Sequence, residues 1–143
     1  MSNWTHVAGV IRVNDIFRDL DIRNDLDFDK IIGKECLYKS EMDIWSDAER
    51  NPKDYLPMGW EGSLQKSVWA NSNRNCVDAY AVSIFGDLRG DDNPQAIVDW
   101  FADKCKLIND YDGCWVRQAT ITVWNEYNGT VNWTYKREEE DDV

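Results

Sequence analysis

Between Ser63 and Lys136 the chain carries two strand pairs separated by one amphipathic helix, an order that leaves few folds open. The helix is the clearest element. Asn93 is placed to cap its free amides, and Pro94 fits the first helical position, where a missing N–H costs nothing. Ile97, Val98, Phe101, Cys105 and Ile108 form one apolar stripe, and Asp112-Gly113 reads as the stop. Before the helix, Leu64 to Asn71 and Val77 to Phe85 alternate as strands do, joined by the turn cluster Ser72-Asn73-Arg74-Asn75. After it, Trp115 to Trp124 and Thr130 to Lys136 flank Asn128-Gly129. That pair supplies the positive φ angles of a two-residue type I′ turn.

The N-terminal part supplies one more strand and one more helix. Along Thr5 to Val13, Val7, Gly9, Ile11 and Val13 share one face, and His6, Ala8, Val10 and Arg12 share the other. A charged connector, Asn14 to Asn24, leads to a helix predicted over residues 25–36. Phe28, Ile31, Ile32 and Cys36 are its apolar positions, with Asp25 or Asp27 as the cap. Residues 37–62 mix charges with Trp45, Pro52, Pro57 and Gly59 and read as a long ordered insertion, helical around Asp43 to Arg50. The expected order is β-α-β-β-α-β-β. This is an α+β, ferredoxin-like antiparallel sheet with two helices on one face and an added last strand. One domain spans residues 1–137, followed by an acidic, disordered tail at 138–143.

Charge narrows the partners. With 16 Lys plus Arg against 27 Asp plus Glu, the net charge is −11. Direct nucleic-acid binding and contact with anionic membranes are disfavoured, because both need basic surface. A basic protein is the favoured macromolecular partner. No apolar run is long enough to span a bilayer, and Met1 to His6 lacks the regions of a signal peptide, so a cytoplasmic setting is expected.

Motifs for catalysis are thin. The four cysteines, Cys36, Cys76, Cys105 and Cys114, form no C-x-x-C, and His6 is the one histidine, so no zinc site or other cofactor is expected. Cys105 reads as a small buried apolar residue. No phosphate-loop motif occurs. Gly86 to Asp92 reads as a strand-to-helix turn in which Arg89 is available to an anion. Asp87, Asp91 and Asp92 near that turn support a metal-dependent hydrolase only as the third-ranked alternative.

Eight tryptophans are the unusual feature. A sheet covered by helices on one face leaves the other open, and alternation places Trp69 and His6 there. Trp69, Trp60 and His6, with Arg89 and Arg117, are therefore the candidate binding residues. Two chemistries suit them: an interface anchored by aromatics, including a homo-oligomer, or a nucleotide stacked on Trp with its phosphate on Arg89 or Arg117.

Two stretches, Ser2 to Val13 and Ser67-Val68-Trp69 with Tyr80 to Arg89, resemble small accessory proteins of tailed bacteriophages. The resemblance implies a phage accessory context and transfers no functional residue. Together with size, acidity and aromatic surplus, it leads to the expectation of a non-enzymatic counter-defence protein. Such a protein would block a basic or nucleic-acid-binding site of a bacterial immune factor by occupancy. Capture of a nucleotide signal is the first alternative, and a virion or assembly role the second.

Overall fold

A computed structural model describes residues 3–15, 27–36, 47–72, 78–90, 93–111 and 113–137. The chain is an α+β protein built on one five-stranded antiparallel sheet. Its strands are β1 (Trp4–Asp15), β2 (Gln65–Ser72), β3 (Asp78–Arg89), β4 (Cys114–Asn125) and β5 (Gly129–Thr134), in the spatial order β2-β3-β1-β4-β5. Helix α1 (Phe28–Ile31) and helix α2 (Pro94–Asn109) pack on one face.

Alternation decides the two faces. Val7, Ile11 and Val13 of β1, Val82, Ile84 and Leu88 of β3, and Val116, Ile121 and Val123 of β4 are buried against the helices. Phe101, Ile97 and Ile108 of α2 complete this core. His6, Ala8, Val10 and Arg12 point the other way, as their period of two requires.

Several elements match the sequence reading closely. The Asn93 side chain caps α2 through the Ala96 amide, and Pro94 opens the helix. Asp27 caps α1 by accepting from Asp29 N at 2.9 Å.

Others are corrected. The helix predicted over 25–36 is a single turn within the described part, ending where Gly33 adopts φ +135° against the Tyr55 backbone. Strand β3 runs on through Gly86-Asp87-Leu88-Arg89, paired with Trp4 to Val7, so this stretch is sheet and not a turn into α2. Gly86 makes that continuation possible. At φ +146° it sits where a Cβ would meet Ser63 O at 3.0 Å. In the last hairpin Asn125 pairs with Gly129, so three residues form the loop instead of the Asn128-Gly129 pair alone. The Asn125 side chain explains the longer loop, because its carbonyl accepts from Tyr127 N and Asn128 N and competes with a two-residue turn.

The described half of the insertion is ordered by its own bonds. Residues 47–50 are helical, as expected for the part that lies within reach. Asp47 accepts from Tyr55 Oη at 2.7 Å and from Asn51 Nδ2 at 2.9 Å. The Tyr55 bond and then the Asn51 bond hold the Asp47 carboxyl below its ordinary range, and the same contact pushes the Tyr55 phenol up to about 12. The connector predicted from Asn14 begins later, because Asn14 and Asp15 still belong to β1. Its residues 16–24, the cap candidate Asp25, residues 37–46, the turn around Asn73, Cys76, Asp91, Asp92, Asp112 and the tail at 138–143 lie outside the described residues.

Candidate functional site

The candidate site is one end of the open sheet face, where two cross-strand rows meet. The first row is Asp87 on β3, His6 on β1 and Trp124 on β4, directly paired across three strands. The second is Arg89 on β3, Trp4 on β1 and Glu126 just beyond β4. Trp4 pairs with Arg89, and its backbone exchanges bonds with Glu126. Residues paired across antiparallel strands point to the same face, so this register alone gathers six polar and aromatic side chains.

His6 is held from three sides. Its Nδ1 lies 2.6 Å from Asp87 Oδ1, its Nε2 lies 3.4 Å from Glu126 Oε2, and its ring stacks on Trp124 at 4.8 Å. The Asp87 bond raises the imidazole pKa above its ordinary value. Burial opposes that rise, and the Glu126 bond adds to it. A charged imidazole donates from both nitrogens. Each ring nitrogen thus faces a carboxylate, Asp87 at Nδ1 and Glu126 at Nε2, and together with the Trp124 stack these contacts anchor the imidazole.

The insertion completes this end. Glu61 pairs with the Arg89 guanidinium, while Trp60 N donates to Arg89 O and Arg89 N to Glu61 O. The Trp60 ring lies over Gly90 and is 83% exposed. Trp124 (46%) and Tyr127 (57%) add two more exposed aromatic surfaces. Asp87, Glu61 and Glu126 place carboxylates among them.

The positioning residue that the sequence reading missed is Asn125. It is fully buried, and its Nδ2 donates to Thr5 Oγ1 at 2.9 Å and to Asn3 Oδ1 at 3.0 Å. With its carbonyl on the loop amides, it fixes the turn that carries Glu126 and Tyr127. Its place directly before the hairpin loop, in line with the buried alternate positions Ala119, Ile121 and Val123, was the available signal.

The five predicted binding residues divide into two groups. His6, Trp60 and Arg89 come together at this end. Trp69 and Arg117 do not. Trp69 is exposed on the open face as expected, but it pairs with Ala81, eight residues along β3 from Arg89, or about 27 Å. Arg117 is the extra residue of a β-bulge in β4, since Arg12 pairs with Gln118 and Val13 with Val116. A pocket joining Trp69 to Arg89 is therefore not formed. Nor is Arg89 a phosphate-turn residue, because its guanidinium is engaged by Glu61 within the sheet. Asp87, assigned to a metal cluster in the hydrolase alternative, is instead the partner of His6. Among the described residues, no helix is long and apolar enough to cross a membrane.

Comparison with protein-family models, curated proteins and solved structures gave no match.

Proposed function

We propose that this chain is a non-enzymatic binding protein that occupies a basic protein surface through the aromatic, acidic end of its open sheet face. The observation that carries this reading is the exposure of Trp60, Trp124 and Tyr127 among the carboxylates of Glu61, Asp87 and Glu126. An Arg or Lys from a partner is recognised by such a surface in two ways. Its charge meets a carboxylate, and its apolar stem or guanidinium plane lies on a Trp face. The net charge of −11 adds long-range attraction to basic targets. In fold terms the reading is a ferredoxin-like sheet with an added edge strand. Its support is β1 between β3 and β4, with β2 outside β3 and β5 outside β4.

The setting we propose is the cytoplasm of a phage-infected bacterium, with the occupied surface belonging to an immune factor. Its support is the phage-like look of Ser2 to Val13 and Tyr80 to Arg89 together with the acidity. Phage plating on cells that carry a single defence system, with and without this chain, tests the setting. Restored plating that W124A and D87N abolish is the expected result. Unchanged plating across a broad set of systems counts against it.

A further inference from the structure

A second site lies on the helix-covered side of the sheet, away from the aromatic, acidic end. Between the last turns of α2 and the β4–β5 pair is a cleft of about 430 Å³. That size falls within the range of small-molecule sites. Trp133 and Tyr135 form aromatic walls, Trp115 borders the cleft from β4, and Lys106, Lys136 and Arg137 stand around it. No carboxylate is among the described residues that line it, although acids outnumber bases 27 to 16 in the chain. Lys106, Lys136 and Arg137 thus bring three cations beside aromatic side chains.

The walls are fixed in place. Trp133 meets Phe101 edge-on at 5.8 Å and Tyr135 at 6.4 Å. Asn109 ties the end of α2 to β4 and to the segment just after β5, donating to Tyr135 Oη at 3.1 Å and accepting from Val116 N at 2.7 Å. A site held this way loses little order when a ligand enters.

We infer that this cleft binds a nucleoside phosphate. A base has a flat π surface for the Trp and Tyr walls, and the phosphate takes charge-assisted bonds from Lys136, Arg137 and Lys106. An apolar ligand leaves the cations unused, and inorganic phosphate leaves the aromatic walls unused. The ligand therefore combines both features. The proposal is independent of the binding surface at the other end of the sheet and relocates nucleotide capture from Trp69, Arg89 and Arg117 to these six residues.

The test is calorimetric titration of the full chain with a panel of linear and cyclic nucleoside mono- and diphosphates. Nucleosides and inorganic phosphate serve as the two partial probes. At least one nucleoside phosphate is expected to bind about tenfold or more tightly than either partial probe. The K136A/R137A variant, altered only at exposed positions, is expected to weaken that binding by about tenfold, as loss of charge-assisted contacts does. W115F, altered at the border of the cleft, is expected to bind within about threefold of the native chain, and W69A unchanged. Absence of binding across the panel overturns the inference. So does inorganic phosphate binding as tightly as the best nucleoside phosphate, or a K136A/R137A variant that binds like the native chain.

Discussion

His6 stacks on Trp124 with ring centroids 4.8 Å apart and planes 23° apart. The stack joins the central strand to the strand that carries Glu126, and Asp87 closes the imidazole from the opposite side at 2.6 Å. An aromatic ring, an imidazole and two carboxylates are thus fixed at one end of a sheet before any partner arrives. Such preorganisation reduces the ordering cost of binding.

Titration of His6 should show the cluster directly. Its folded pKa lies above the unfolded value near 6.5, chiefly because of Asp87. The stabilisation it gives is therefore complete below pH 6.5 and is lost as pH rises through the folded value. Its size is on the order of 0.5 kcal/mol, since the pair is partly solvated. Imidazole proton chemical shifts recorded against pH give the pKa of His6. D87N is expected to bring it back towards 6.5. An unchanged pKa in D87N contradicts the assignment of Asp87 as the main cause.

Asn125 is expected to matter more than its position in a turn suggests. N125A removes the bonds that Asn125 makes to Thr5 Oγ1 and to the amides of Tyr127 and Asn128. Urea denaturation is expected to show a loss of about 2 kcal/mol, as several hydrogen bonds worth about 0.5–1.5 kcal/mol each are lost together. N125D keeps the acceptor for the two amides but removes the donor to Thr5, and should recover part of the loss. If N125A is as stable as the native chain, the clamp is not a structural element.

These two residues also show what a sequence can reveal and what it cannot. The period of two placed His6 on the open face, and Asn93-Pro94 marked the start of α2, because strand alternation and helix capping are local properties. The partnership of His6 with Asp87 is not local. It depends on β3 continuing through Gly86, and a glycine followed by charges looks like a turn when no strand partner is visible. The pairing of Trp69 with Ala81, far from Arg89, is likewise a matter of register, which alternation alone does not fix. The cleft at Trp115, Trp133 and Tyr135 was hidden for a further reason. Its walls come from two strands and a helix whose lateral order no single segment encodes.

Gly86 should tolerate no side chain. G86A adds a Cβ in a backbone region that L residues rarely adopt, against Ser63 O and Leu64 Cα. A cost of about 1–3 kcal/mol is expected. Because Asp87 follows immediately, the His6 pKa should fall with it. Thermal unfolding and the His6 titration measured together on G86A check both parts, and a stable variant with an unshifted His6 contradicts them.

Lys66 pins α1 to the edge strand. Its side chain is 5% exposed, pairs with Asp29 and donates to Gly33 O at 2.9 Å, while its own amide donates to Glu35. K66M keeps the packed stem and loses both side-chain bonds. It is expected to cost about 1–3 kcal/mol, largely from the unsatisfied Gly33 carbonyl. Asp29 is exposed and stays hydrated, so K66M and the double variant K66M/D29N should be equally stable within about 0.5 kcal/mol. A large recovery in the double variant would show instead that the ion pair dominates.

The central claim is that the end of the sheet around His6 recognises cationic protein surface. An arginine-rich peptide titrated into the isotopically labelled full chain at low and high salt tests it most directly, read by the indole N–H signals of the tryptophans. The account predicts salt-sensitive shifts at Trp60 and Trp124, little change at Trp69, and binding that strengthens as pH rises and His6 loses its charge. Shifts centred on Trp69, or none at Trp60 and Trp124 at low salt, would contradict it.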